Sequence, residues 1–366
     1  MAISFKIKHK QGKARVGELK TDHGVVQTPT VTTNFTPALL RSGLKASDLK
    51  PLGAQMVLMN VLHNLIADVK DAHEYLGWNG PIFCDSGGFQ MVSLSSKTKI
   101  THEGVEFELD GKKYNLNPKK VGELQKNMGM DIIMPLDRVI TVFSKNPFAY
   151  LSSVFTTIRW FKKAREAAPD NTYYITQGGL NYFARWISLW DAKKQLESGV
   201  PGVAIGGIAL GESMEKMYSM TKFCTDRLPE NKPRHLLGVG TPIELLESID
   251  LGIDTFDCVA ATREARHGRL WTEDGYIRLG YEKHKKDAGV IEEGCDCPAC
   301  KQGVTRSDIV KAISNNPEDK ARRNEALKHC MLHNIRFIMR LMERSQKAIQ
   351  KNRYQEFKKN FIARYK

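Results

Sequence analysis

Seven short apolar runs set the pattern of this chain: Gln55 to Asn60, Pro81 to Asp85, Asp131 to Asp137, Tyr173 to Gln177, Gly202 to Gly206, His235 to Val239 and Thr255 to Val259. Segments of helical periodicity separate them, which is the alternation expected of buried parallel strands with helical crossovers. Many of the runs close on a polar residue or a glycine, at Asp85, Asp137, Gln177, Gly206, Gly240 and Asp257. In a (β/α)8 barrel the carboxyl ends of the strands ring one mouth, so side chains from distant positions converge there. The fold predicted is α/β, a (β/α)8 TIM barrel. Ahead of it, Phe5 to Thr33 alternates apolar and polar residues around Gly12, Gly17 and Asp22-His23-Gly24, a pattern of short antiparallel strands joined by turns.

A chain of 366 residues with 41% hydrophobic content can bury one large core. We expect a single elaborated domain over residues 1–366. The formal charge of +14 points to a polyanionic partner, nucleic acid first and an anionic membrane surface second. No apolar run is long enough to span a bilayer, and the amino terminus lacks the apolar core of a secretory signal, so the expected location is the cytoplasm, away from membrane.

Four of the seven cysteines, Cys84, Cys224, Cys258 and Cys330, stand alone, whereas Cys295, Cys297 and Cys300 crowd into one turn. Such a cluster reads as metal binding rather than as a disulfide framework. His329 or His333 downstream can supply a fourth ligand, and spacing does not choose between them. Three thiolates and one imidazole close a tetrahedron and leave no position for water, so the zinc expected here is structural. It would staple a subdomain of about residues 285–340 near the carboxyl terminus.

The candidate chemical residues lie at run ends. Asp85-Ser86-Gly87-Gly88-Phe89-Gln90 offers a carboxylate with two glycines that let a ligand approach the backbone, although a tight turn alone would look the same. Asp257 precedes the arginine-rich Thr262-Arg263-Glu264-Ala265-Arg266-His267-Gly268-Arg269 and suits a nucleophile or an acid/base partner; the bland alternative is a salt-bridged loop. His267 receives no role. Gln177-Gly178-Gly179 and Gly206-Gly207-Ile208 offer an amide and backbone groups suited to the edge of a purine-like base. The basic, helical stretch from Arg336 to Lys366 is either a solvated face or an RNA contact.

Taken in order, Asp85 to Gln90, Gln177-Gly178-Gly179, Ala204 to Glu212, Gly238 to Pro242, Asp254 to Arg269 and the cysteine cluster make the chain resemble tRNA-guanine transglycosylases, from the Phe5 region to the carboxyl terminus. The resemblance implies the barrel, a structural Zn2+ in each subunit and a homodimer. It implies that Asp257 is the nucleophile and Asp85 the general acid/base, with Ser86, Gly87, Gly88, Phe89, Asp137, Gln177, Gly206, Gly207 and Ile208 around the base. It assigns tRNA contact to Gly238-Val239-Gly240-Thr241-Pro242-Ile243-Glu244 and to Thr262-Arg263-Glu264-Ala265-Arg266. His333 matches the fourth zinc ligand better than His329 does.

The implied reaction exchanges the wobble guanine of tRNAs with GUN anticodons (Asp, Asn, His, Tyr) for a 7-deazaguanine. Arg138-Val139 after Asp137, and Leu210, depart from the family's usual pocket residues, and Thr241 stands where many members carry lysine. The incoming base expected is 7-aminomethyl-7-deazaguanine, with queuine as the alternative. A catalytically silent tRNA-binding subunit would have lost Asp85 or Asp257. A zinc-stapled RNA-binding protein would leave both aspartates without a purpose.

Overall fold

A computed structural model describes residues 3–35, 39–40, 42–62, 67–87, 98–109, 111–280, 282–314 and 319–365. Alternation near the amino terminus gives three antiparallel strands, β1 (Ser4–Gln11), β2 (Ala14–Thr21) and β3 (Gly24–Thr28). The run continues directly into β4 (Thr30–Asn34), which changes partner and direction. It pairs parallel with residues 255–258 on one side and 57–58 on the other, so it is the first barrel strand rather than part of the antiparallel sheet. The sequence reading placed it wrongly because a strand of threonines and one valine carries no apolar run. Its threonines are buried, and Thr32 Oγ1 donates to the Phe256 carbonyl at 3.1 Å.

The next barrel strands are β5 (Val57–Asn60) and β6 (Ile82–Asp85). An inserted antiparallel sheet follows, β7 (Lys99–Ile100), β8 (Val105–Leu109) and β9 (Lys112–Leu116). The barrel resumes with β10 (Ile132–Ile133), β11 (Tyr174–Thr176), β12 (Val203–Ile205), β13 (Arg234–Leu237) and β14 (Thr255–Cys258). β10 is much shorter than the Asp131–Asp137 run predicts. The eight parallel strands lie in the order β10-β6-β5-β4-β14-β13-β12-β11. The two ends of that sheet also meet: the Ile133 N–H bonds the Asn171 carbonyl and the Tyr173 N–H bonds the Ile133 carbonyl, each at 3.0 Å. Around the closed barrel the strands therefore follow chain order.

Helices fill the crossovers: α1 (Ala72–Leu76), α2 (Pro118–Asn127), α3 (Pro147–Ala167), α4 (Tyr182–Glu197), α5 (Met214–Thr225) and α6 (Pro242–Asp250). Their starts are written locally, since Asp71, Asn117, Asn146, Asn181 and Ser213 each accept a first-turn N–H that the helix itself leaves unpaired. Beyond the last barrel strand come α7 (Ala260–Arg266), the hairpin β15 (Arg269–Thr272) and β16 (Gly275–Arg278), and α8 (Pro298–Lys301), α9 (Arg306–Ser314), α10 (Lys320–Gln350) and α11 (Tyr354–Arg364). No described helix is long and apolar enough to cross a membrane.

Two-residue periodicity sorts every strand into an inner and an outer face. Val57, Ile82, Cys84, Ile133, Tyr174, Val203, Ile205, Leu236 and Phe256 point outward and join the helices in one core. Leu58, Phe83, Ile132, Ile175 and Ala204 point inward and pack with Ile3, Leu19 and Val26 of the amino-terminal segment and sheet. That sheet thus plugs the amino end of the barrel, leaving the carboxyl end as the mouth. Arg15 of β2 fixes the plug through paired bonds of 2.8 and 2.5 Å to Asp254, both side chains being almost wholly buried.

Candidate active site and metal centre

The same parity delivers the site. Asp85 stands two residues beyond inward Phe83, Gln177 two beyond inward Ile175, and Asp257 two beyond Thr255, so all three face the barrel axis at its mouth. Asp137 comes from the loop that follows β10. That loop is pinned from outside, because the Arg138 N–H bonds Thr157 Oγ1 at 3.0 Å and its guanidinium bonds Ser152 at 2.7 Å.

Asp85 accepts from Asn60 Nδ2 at 2.9 Å and from the Gly87 N–H. Burial, together with the nearby carboxylates of Asp257 and Asp137, nevertheless raises its pKa to about 7. Ser86 is buried beside it, and Gly87 takes a positive φ of 76° with no room for a Cβ against Asn60 Oδ1. Gly88, Phe89 and Gln90 lie outside the described residues. Asp137 is raised to about 6 by burial, against the opposing bond from Gln177 Nε2 at 2.5 Å.

Gln177 is fully buried. Its backbone N–H bonds Ser188 Oγ at 3.0 Å, while its Oε1 has no partner among the described residues. Gly206 and Gly207 make room for this amide, since a Cβ on Gly206 would sit 2.9 Å from its Nε2 and one on Gly207 would overlap Oε1. Arg185 of α4, buried with no ion-pair partner among the described residues, donates to the carbonyls of Thr176, Gly179 and Gly206, each at 2.9 Å. It staples the loops after β11 and β12 together. Ile208 is buried beneath, and Glu212 accepts from the Ala209 N–H at 2.6 Å and the Leu210 N–H at 2.9 Å, holding Ala209 at a φ of 62°. A non-glycine residue there is strained, and such strain gathers at ligand sites.

Asp257 Oδ1 lies 3.1 Å from His235 Nε2 and accepts the Gly238 N–H at 3.2 Å. The sequence reading missed Asn60, His235, Arg185 and Glu212 as site residues. Asn60 and His235 carried a usable signal, since each is a polar residue in an otherwise apolar run.

The two segments expected at the tRNA frame the Asp257 side of the mouth. In Gly238–Glu244, Gly238 and Thr241 are exposed, Ile243 and Glu244 are partly so, and Val239, Gly240 and Pro242 are buried. Glu244 accepts the Thr241 N–H at 3.1 Å, capping α6. In α7, Arg263 is exposed, Arg266 is partly buried, Glu264 pairs with Arg269 at 2.7 Å, and Thr262 and Ala265 are buried. Three arginines in the second half of α10 are paired within the chain: Arg336 with Asp296 and Glu343, Arg340 with Glu292 and Arg344 with Glu273.

The thiols of Cys295, Cys297 and Cys300 lie 3.6, 3.5 and 3.7 Å from His333 Nδ1. Ordinary Zn–S and Zn–N bonds arranged tetrahedrally put nitrogen and sulfur about 3.6 Å apart. His333 Nε2 lies 2.7 Å from the Trp271 carbonyl, which only accepts, so Nε2 carries the hydrogen and Nδ1 turns its lone pair to the thiols. The donor set fits a closed structural zinc. His329 is elsewhere, beside Val304, Asp308 and Ile309. Next to His333, Asn334 bonds the Trp271 N–H and the carbonyls of Ala261 and Arg269, each at 3.0 Å. The metal centre is thereby joined to α7.

Fold and site together define a (β/α)8 barrel with converging carboxylates at its mouth and a cysteine-histidine cluster fit to bind a metal beyond its last strand. The family model described as queuine tRNA-ribosyltransferase matches residues 10–366. A protein named queuine tRNA-ribosyltransferase from Fusobacterium nucleatum is 36% identical over 378 residues, covering 100% of this chain and 99% of the relative. Relatives of the same name from Dictyoglomus turgidum and Clostridium perfringens are 33% and 37% identical, covering 100% and 95% of this chain and 95% and 94% of their own lengths. The chain belongs to the queuine tRNA-ribosyltransferase family.

Proposed function

We propose that this protein is a tRNA-guanine transglycosylase of the cytoplasm, exchanging the wobble guanine of tRNAs with GUN anticodons for 7-aminomethyl-7-deazaguanine in queuosine formation. The observation that carries the reading is the convergence of Asp257, Asp85, Asp137 and the half-satisfied amide of Gln177 on one mouth. Asp257 attacks the ribose C1′, forming a C1′–O bond as the bond to guanine N9 breaks. The electron pair leaves with the base, which takes a proton from Asp85, a group raised to about 7 and so available as an acid near neutrality. The incoming base then gives its N9 proton to Asp85, attacks C1′ and returns the electron pair to Asp257. The glycosidic bond energy is kept in the ester, so the exchange needs no nucleotide triphosphate.

Gln177, Asp137 and the Gly206–Gly207 backbone would hold the base edge, with Phe89 over one face. The target base must leave the anticodon stack to reach them. Exposed Arg263 and the Gly238–Thr241 turn would meet the tRNA backbone, within a homodimer carrying one structural zinc in each subunit. The test is incorporation of labelled guanine into unmodified tRNA with a wobble guanine, chased separately with 7-aminomethyl-7-deazaguanine and with queuine. Label uptake that is lost when the wobble guanine is replaced supports the reaction, and the base that releases the label is the substrate. No uptake by folded, zinc-loaded protein would favour a silent tRNA-binding subunit instead.

A further inference from the structure

A carboxylate nucleophile has two equivalent oxygens, and its rate depends on which one is free and where it points. In Asp257 both protein donors fall on Oδ1, from the Gly238 N–H and from His235, and Oδ2 has none among the described residues. Because a carboxylate only accepts, His235 Nε2 carries the hydrogen. The other ring nitrogen lies 2.9 Å from Thr255 Oγ1, whose hydroxyl donates to it when the ring is neutral. Thr255 and Asp257 alternate on the same face of β14, and His235 stands directly across from Thr255 on β13. One imidazole thus bridges two successive inward positions of the neighbouring strand. Stacking on Phe83, at 4.4 Å and 27°, fixes its plane, and the ring is fully buried.

We propose that His235 is the positioning residue of the nucleophile, an inference that rests on Asp257 being that nucleophile. Buried beneath the carboxylate, it does not touch substrate. Its N–H occupies Oδ1, so that Oδ2 is the oxygen that forms the bond to C1′ as the bond to guanine N9 breaks and the electron pair goes to the base. In the second half the incoming N9 bonds C1′, the C1′–Oδ2 bond breaks, and the pair returns to a carboxylate whose charge the same N–H stabilises. Both halves therefore depend on it.

The experiment is single-turnover formation and discharge of the protein–tRNA adduct, read on denaturing gels, with tRNA affinity measured separately. His235→Phe and His235→Met lack the donor and slow both halves by roughly 100-fold while tRNA affinity and the KM for guanine hold, as expected for a misaimed nucleophile. His235→Gln, whose amide can offer an N–H to Oδ1, recovers to within about 10-fold of the natural rate. A folded donor-less variant with an undiminished rate, or a Gln variant no better than Phe at equal thermal stability, overturns the proposal. Asp257→Asn is the control: if it still forms the adduct, the nucleophile assignment fails, whatever His235 does.

Discussion

Gln177 gives one hydrogen of its amide to Asp137 Oδ2 at 2.5 Å and keeps its own oxygen buried and unanswered among the described residues. A buried carbonyl without a donor costs free energy that a ligand N–H recovers, which makes this amide half of the proposed base site. Gly207→Ala would drive a methyl group into that oxygen at a φ of 70°. We expect KM for guanine to rise about 10-fold or more, with tRNA affinity unchanged. Steady-state kinetics in guanine check it.

Asp85 makes a signed prediction. Its folded pKa of about 7 lies above its unfolded value, so the folded state binds more protons between the two and this group's contribution to stability falls as pH rises through that window. Asp85→Asn should therefore gain stability over the parent as pH climbs from 4 to 7, by on the order of 2–4 kcal/mol, then level off. Denaturant titrations at pH 5 and pH 8 test the sign. In the parent, adduct formation needs protonated Asp85 and should decline above about pH 7.

Asp257→Ala should abolish the covalent tRNA adduct and base exchange while leaving tRNA binding largely intact. A gel that still shows the adduct would move the nucleophile elsewhere.

Removal of the metal acts through the fold. Cys297→Ser, or strong chelation, should release zinc and lower the melting temperature, because binding energy in a closed site is folding energy. Metal analysis and calorimetry on the same sample read both. Unchanged zinc content in the variant would remove Cys297 from the ligand set.

Arg185→Met takes a donor from three buried carbonyls, of which Thr176 alone keeps another, the Gly206 N–H. Breaking such a network should cost about 3 kcal/mol or more and loosen the Gln177 and Gly206 loops together. Urea denaturation gives the first figure. Faster amide exchange at Gly178, Gly179 and Gly207 gives the second.

What was legible in the chain was what repeats or clusters. Seven of the barrel strands stood out as apolar runs, and their terminal residues, Asp85, Gln177 and Asp257, inherit an inward direction from strand parity alone. The cysteine triplet announced a metal-binding cluster; spacing did not choose between His329 and His333, the family resemblance favoured His333, and the fold gives the reason, since the face of α10 that carries His333 meets the Trp271 carbonyl. β4 stayed hidden because what it buries is mostly threonine rather than apolar mass. Arg185 stayed hidden because a buried polar residue on a helix is recognisable only by its partners, which lie on two separate loops, whereas His235 stood out as a polar residue in an apolar run but took its meaning from partners across a strand pair. Within the basic carboxyl-terminal segment, Arg336, Arg340 and Arg344 are matched by Asp296, Glu292 and Glu273, partners too distant in sequence to be read from it.

The seam between β4 and β14 also orders events on the ribosome. Domains tend to fold from the amino end as they are synthesised, yet Thr30–Asn34 must wait for Thr255–Cys258 before the barrel can close. His235, the donor beneath Asp257, is translated before the carboxylate it holds, and the metal ligands after it. A nascent chain stalled anywhere short of its last barrel strand therefore lacks both the closing seam and Asp257, so the mouth with its converging side chains comes into being only after residue 258 has been made.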